Sequence, residues 1–296
     1  MSSIRDLYRD SKPVFSCEIY PPKKEEELLR IDETLTAIGK IHPDFLSVTY
    51  GAGGSNAGKA VEIASFAKNK CGLEVLSHIT SVGFSRERLH EGLLTFREHG
   101  IENVLVLRGD RPKLMTDEEF NARDFLHASD MAEYVQKNFP EFTIAGACYP
   151  DKHFEAKSLD EDADHLKLKV ESGCSMLISQ LFLDNSLFYS LLERMDKRGI
   201  HVPVSAGIMP ITSVKMLGTT ISLSGTSVPK EFSDLAARYA DRPEDMKKAG
   251  IDYAIRQCQY LLEHGADGIH LYIMNKPALA EEIFSQIRPR YTGSRY

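Results

Sequence analysis

No stretch of the sequence is apolar for the roughly 18 residues that a membrane helix requires. Residues 1–10 are charged and lack the apolar core of a signal peptide. No membrane partner is expected, and a soluble, cytoplasmic location is. Cysteine is scarce: the five are Cys17, Cys71, Cys148, Cys174 and Cys258. The number is odd and no two form a C-x-x-C pair, which excludes a disulfide framework and a zinc ribbon. Reduced thiols are the simplest reading. Basic residues are also in deficit, 36 against 43 acidic ones for a net charge of -7. Nothing in that balance favours a nucleic acid or an anionic membrane, although a local basic pocket for an acidic ligand is compatible with it. No G-x-G-x-x-G follows an early strand and there is no G-x-x-x-x-G-K-[ST], so Rossmann and P-loop sites have no support. No low-complexity linker divides the 296 residues.

What is there is an ordinary globular composition, 42% hydrophobic and 27% charged. Eight short apolar runs recur, at 14–19, 45–50, 74–78, 104–107, 142–148, 176–181, 202–206 and 268–272. Helix-period stretches lie between them, at 25–41, 58–70, 86–100, 129–138, 158–172, 186–197, 213–223 and 242–264, with an extra helix expected around 231–239. Gly100, Gly173 and Gly265 stand where helix C-caps belong. The apolar runs are near-continuous rather than alternating, which suits parallel strands covered by helices. Eight β-then-α units in this length predict a single TIM-type (β/α)8 barrel spanning 1–296, with an open doubly wound sheet as the alternative.

In such a barrel the active site collects at the C-terminal ends of the strands. Those positions carry Glu18, Thr49, Tyr50, His78, Arg108, Gly109, Asp110, Tyr149, His153, Gln180, His270 and Tyr272. Glu18 lies inside an apolar run, as a barrel-mouth acid or as a paired structural charge. Partial burial is expected to raise its pKa toward neutrality. The loop 49–54 is either a glycine-rich approach to a flat ligand or phosphates, or simply a flexible connection. Arg108-Gly109-Asp110 reads as a structural ion pair, or as an anion-binding Arg beside an Asp that faces a developing cation. His153, Glu155, Asp162, Asp164 and His165 have the spacing of neither H-E-x-x-H nor an EF-hand, so no metal is expected. His165 and Lys169 share a helix face one turn apart.

Taken in order, the segments F-S-C-E-I-Y-P-P (15–22), F-L-S-V-T-Y-G-A (45–52), H-I-T-S (78–81), L-R-G-D (107–110), Y-P-D-K-H-F-E-A-K (149–157), S-Q-L-F-L-D (179–184), G-I-M-P-I (207–211) and H-L-Y-I-M-N-K (270–276) resemble the bacterial methylenetetrahydrofolate reductase family. The resemblance covers nearly the whole chain. It implies a barrel that binds FAD without a Rossmann domain and reduces methylenetetrahydrofolate by a ping-pong route through flavin N5. By resemblance Glu18 is the general acid for folate N10, and Asp110 stabilises the iminium cation and contacts the pterin. Gln180 orients the pterin; Tyr272 and Lys276 belong to the substrate site. The matching FAD positions are Thr49, Tyr50, Ala52, His78, Arg108, Gly109, Asp110, His127, Ala128, Tyr149, His153, Ala156, Asp162, His165 and Lys169, with Arg108 and Lys169 as diphosphate partners.

The chain departs from the enterobacterial pattern at Thr220, where a Phe packs on NADH and folate, at Met216, where a Gln stands, and at Lys276, where an Arg stands. NADH is the expected electron donor, with a partner electron-transfer subunit as the alternative and a homo- or hetero-oligomer as the expected assembly. Two competing classes are a Schiff-base aldolase, for which no strand end offers a suitable Lys, and a non-catalytic barrel, against which Glu18, Asp110 and Gln180 all stand.

Overall fold

The computed structural model describes residues 3–10, 12–22, 24–28, 30–50, 57–112 and 114–291. Eight parallel strands, β1 (Val14–Ile19), β2 (Phe45–Val48), β3 (Val75–Thr80), β4 (Asn103–Leu107), β5 (Thr143–Cys148), β6 (Met176–Ser179), β7 (Val204–Ile208) and β8 (Gly268–Tyr272), pair in chain order. The barrel closes through β1 and β8, with Val14 opposite Gly268 and Glu18 opposite Tyr272. The open-sheet alternative is thereby removed. Around it lie α1 (Glu25–Leu28), α2 (Ile31–Ile41), α3 (Ala57–Asn69), α4 (Arg86–Glu98), α5 (Asp117–Asn121), α6 (Ala128–Asn138), α7 (Leu159–Glu171), α8 (Asn185–Asp196), α9 (Val214–Ser224), α10 (Lys230–Arg238), α11 (Pro243–Glu263) and α12 (Pro277–Ile287). No helix among the described residues is long and apolar enough to cross a membrane.

The period-2 geometry of a strand divides each one between two cores. In β1, Phe15, Cys17 and Ile19 pack outward with helix residues such as Leu35, Ile38 and Phe284, while Val14 joins Phe45, Leu76, Leu105 and Met176 inside the barrel. The N-terminal end of the barrel is plugged by a 3-10 turn, Ile4–Arg9. Its Ile4 is fully buried in the inner cluster, and the Tyr8 hydroxyl lies 2.7 Å from Ser205 Oγ. The other end stays open, and it is there that the strand-end polar residues gather.

Several boundaries differ from the sequence reading. The helix expected over 25–41 is two, because Arg30 sits in a turn whose N–H donates to Glu27 O at 3.2 Å. The acidic α1 has no apolar stripe to extend it, whereas α2 buries Ile31, Leu35 and Ile38. Strand β7 starts two residues later than expected, because Pro203 accepts from Leu177 N at 2.9 Å but has no N–H to donate. Strand β3 runs on to Thr80, which puts His78 within the strand. The short α5 and the closing α12 were not anticipated. In α12, Pro277 opens the helix and Leu279, Ala280, Ile283, Phe284 and Ile287 form its buried face.

Candidate active site

Strand register assembles the floor of the open end. Ser16 pairs with His270 across β1 and β8, and Glu18 pairs with Ser47 across β1 and β2. Ser16, Glu18 and Ser47 therefore point into the barrel together with His78 and His270. Glu18 Oε2 stands 3.3 Å from His78 Nε2, 3.7 Å from His270 Nε2 and 3.4 Å from Ser47 Oγ. Ser47 Oγ is also 2.5 Å from His78 Nε2. With the His78 proton on Nε2, His78 donates to Ser47 and Ser47 donates to Glu18, so one chain of donors ends on the carboxylate. Ser16 Oγ lies 2.8 Å from His270 Nδ1, while the buried His270 Nε2 has no hydrogen-bond partner among the described residues.

Burial pushes the Glu18 carboxyl upward, but His270 close beside it, the charge of His78 and the hydrogen bond from Ser47 outweigh it, and its pKa lies below the ordinary carboxylate value. This corrects the expectation of a raised pKa, which considered burial without the two imidazoles. His78 is lowered by burial and by His270, against the opposing pull of Glu18.

Above this floor a cavity of about 400 Å³ is lined by Glu18, Thr49, Tyr50, His78, Gly109, Asp110, Gln180 and Tyr272. Tyr272 donates its hydroxyl to Ser179 O at 2.8 Å, and its ring takes the space that a side chain at Gly207 would fill, since a Cβ there would stand 2.8 Å from the ring and 2.1 Å from Ser179 O. Gly109 turns the β4 loop with φ 80°, a left-handed backbone, with Thr80 Cβ 3.0 Å from where its own Cβ would be. Asp110 is exposed at the rim, and Gln180 Oε1 accepts from Leu181 N at 2.9 Å.

A second cavity of about 370 Å³ adjoins the first, sharing Leu107, Arg108, Ala147, Tyr149 and His153 with it, and runs along α6 and α7. It is lined further by His127, Ala128, Ala156, Asp162, His165 and Lys169. The Asp162 carboxylate holds the His153 N–H at 3.2 Å, and the His153 ring packs edge-on to Tyr149 with centroids 4.8 Å apart. Both cations of this groove are engaged by protein acceptors. Arg108 pairs with Glu155, and Lys169 donates to Ala147 O. Burial lowers the Lys169 pKa. The structural pair that Arg108 forms is thus with Glu155, 47 residues away, rather than with Asp110. Arg108 Nε is buried with no hydrogen-bond partner among the described residues. The groove therefore brings two cations, Arg108 and Lys169, together with the rings of Tyr149, His153, His127 and His165.

Other expected residues fall outside these cavities. Lys276 is exposed at the start of α12 and lines neither. Ala52 lies outside the described residues. Thr220 is buried with its hydroxyl 3.7 Å from Met209 Sδ, and Met216 packs in the same cluster as Leu217 and Phe232. The side chains that α9 brings to the mouth are instead Leu223, 82% exposed, and Ser224. Sequence reasoning did not find Ser16 or Ser47 and weighed Glu155 only as a metal ligand, because small polar residues and a surface Glu do not reveal their role until their partners are known. Asn275 was missed as well. At φ 56° its amide accepts from Tyr20 N at 3.0 Å and donates to Tyr20 O at 2.9 Å, tying the β8 loop to the β1 loop.

Residues 3–288 match the model of the family described as methylenetetrahydrofolate reductase. An Arabidopsis thaliana protein named methylenetetrahydrofolate reductase (NADH) 1 is 31% identical, over 93% of this chain and 48% of its own length. The 5,10-methylenetetrahydrofolate reductase of Escherichia coli is 27% identical, over 90% of this chain and 88% of its own. The chain thus spans about half the length of the plant relatives and most of the bacterial one. Among solved structures, a Clostridium thermocellum protein described as binding two copies of 5-methyl-5,6,7,8-tetrahydrofolic acid aligns with TM-score 0.66 at 14% identity, over 95% of this chain and 98% of that one. Tryptophan synthase from M. tuberculosis aligns with TM-score 0.54 at 12% identity, over 97% and 99%. At these identities the two structures speak to the barrel fold alone. The family model, matched over almost the whole chain, carries the assignment: this protein belongs to the methylenetetrahydrofolate reductase family.

Proposed function

We propose that this barrel, as one domain, reduces 5,10-methylenetetrahydrofolate to 5-methyltetrahydrofolate, with FAD in the groove and NADH as electron donor, in the cytoplasm. The observation that carries the reading is the junction of the two cavities: a half-buried carboxylate with its own donors on one side, a cation-bearing groove on the other. The plant relative named for NADH supports the donor.

The bound flavin supplies the electron pair that turns the folate one-carbon unit into a methyl group. The chain's residues supply the rest. Arg108 and Lys169 would meet the diphosphate, His153, Asp162, His165, His127 and Ala128 would hold the adenosine side, and Thr49, Tyr50, His78, Gly109 and Tyr149 would hold the ring end. Glu18 gives its proton to folate N10 as the five-membered ring opens. Substrate lying over the cavity strips water from Glu18, and this raises its pKa and favours the acid form at that moment. Asp110, at the rim, faces the cationic iminium so produced. Gln180 presents both an acceptor and donors to the pterin, above Tyr272.

The test is direct. The purified protein should be yellow and release FAD, its flavin should bleach anaerobically with NADH, and the colour should return on addition of methylenetetrahydrofolate. A protein that takes up no flavin sinks the reading. One observation favours a second arrangement, in which a partner protein delivers the electrons: the α9 side chains at the mouth, Leu223 and Ser224, include no aromatic ring. An aromatic face contributes roughly 0.5–1.5 kcal/mol when it stacks, so NADH should bind about tenfold more weakly than with such a face. Saturation of flavin reduction at low micromolar NADH rules that arrangement out.

A further inference from the structure

Two βα loops and the α9–α10 connection meet at one buried hydroxyl. Thr226, 4% exposed, follows Gly225, the left-handed residue (φ 66°) that ends α9. Its Oγ1 lies 3.1 Å from Asp151 Oδ2 and 3.4 Å from Leu181 O. Asp151 Oδ1 accepts the Ser227 N–H at 3.1 Å. The Thr226 N–H donates to Ser224 Oγ at 3.3 Å, and Ser224 Oγ donates to Thr220 O at 2.8 Å. Asp151 stands in the β5 loop, two residues from Tyr149 and two from His153. Leu181 follows Gln180, and its N–H holds the Gln180 side-chain oxygen. Leu223 and Ser224 line the mouth cavity.

The arrangement has a physical consequence. A helix that ends in a left-handed glycine can re-aim its last turn at little backbone cost. Burial does not hold that turn, since Leu223 is 82% exposed. Its own cap bond, Gly225 N–H to Ile221 O, closes the turn, and the pair of hydrogen bonds to the Asp151 carboxylate ties it to the β5 loop. A charged acceptor makes the stronger bond, so the single Thr226 proton goes chiefly to Asp151.

We propose that Asp151 and Thr226 are positioning residues for the folate side of the site. Their clasp holds Leu223 and Ser224 over the mouth and registers them with Gln180 through Leu181. The inference rests on the reductase reading given above. Thr226→Val keeps the shape and removes the hydroxyl; Thr226→Ser restores it; Asp151→Asn weakens the acceptor. Binding of 5-methyltetrahydrofolate to the FAD-loaded protein is read by calorimetry, with flavin content and melting temperature measured on the same samples. Thr226→Val and Asp151→Asn should weaken folate binding about tenfold, as expected for one lost hydrogen bond to a charged group. Flavin content should hold, the folate KM should rise more than kcat falls, and Thr226→Ser should bind like the parent. Unchanged folate binding in Thr226→Val overturns the proposal. So does a Thr226→Ser variant as weak as Thr226→Val, or a loss of flavin and melting temperature in step with folate in all three variants. A parent protein that binds FAD but no folate overturns the reductase reading itself, and the clasp proposal with it.

Discussion

The floor of the barrel mouth and the groove beside it hold charge in opposite ways. At the floor, Glu18 is surrounded by groups that serve it: Ser47, His78 and His270 all turn a donor or a positive edge toward one carboxylate oxygen. These residues are on rigid strands, and the register that closes the barrel also fixes their spacing. In the groove, Arg108 and Lys169 are held by the protein's own acceptors, Glu155 and the Ala147 carbonyl. Glu155 is half-exposed on a loop, so an anion entering the groove, such as the diphosphate of the proposed FAD, would have to compete with it. On the proposed reading, the floor is preorganised for proton transfer, and the groove keeps a replaceable partner where a ligand must enter.

The largest test of this contrast is Glu18→Gln. It should leave flavin reduction by the donor nearly intact and slow the folate half-reaction by about 10² to 10⁴, the usual contribution of an acid–base group. Stopped-flow traces of the two half-reactions separate them, and a near-parental folate rate removes Glu18 from the role.

Next come the groove cations. Arg108→Ala and Lys169→Ala should weaken FAD retention roughly ten- to a hundredfold, since each removes a charge-assisted contact. The loss should grow at high ionic strength, where the remaining charges are screened. Flavin content after extensive dialysis measures it, and unchanged content in both variants takes them out of the cofactor site.

Glu155→Gln sharpens the comparison because its expected sign is reversed. Freed of its competitor, Arg108 should bind FAD more tightly, by up to about fivefold, the most that a half-exposed ion pair is worth. Fluorescence titration of FAD reads the change. Weaker binding means that Glu155 itself holds the cofactor.

The smallest effect is on stability. Burial lowers the His78 pKa, so between its folded value and the unfolded value of about 6.5 the unfolded chain binds more protons. Stability is therefore lost as pH falls below about 6.5. Glu18, lowered in the folded state despite its burial, adds a second loss below about 4.3 for the same reason. His78→Gln should flatten the first step of a melting-temperature profile and also shrink the second, because the His78 charge helps to hold the Glu18 pKa down.

Reading polar residues at strand ends found Glu18, Thr49, Asp110, Gln180 and Tyr272, and the structure brings all five to one cavity. That rule works because a parallel barrel has only one open polar end. It failed for Ser47, a small residue inside an apolar run, and for Glu155, because their meaning lies in partners 29 and 47 residues away. It misjudged the Glu18 pKa for the same reason. At α9 the motif order placed Thr220 near the ligand, but helix rotation turned it toward Met209 and presented Leu223 instead. The Asn275 clasp was invisible because a left-handed Asn reads as an ordinary loop residue.

The sequence by itself determined the eight-fold alternation, the parallel character of the strands and the inventory of chemical groups at their ends, because apolar period and turn chemistry are local properties. Tertiary structure alone decided which of those groups touch. Closure of β1 on β8 put His270 beside Glu18, although the two are 252 positions apart in the sequence. The β4 and β5 loops turned Arg108 onto Glu155 rather than Asp110. Charge, pKa and ligand access depend on distances of a few ångströms between residues far apart in the chain, and only the packed barrel sets those distances.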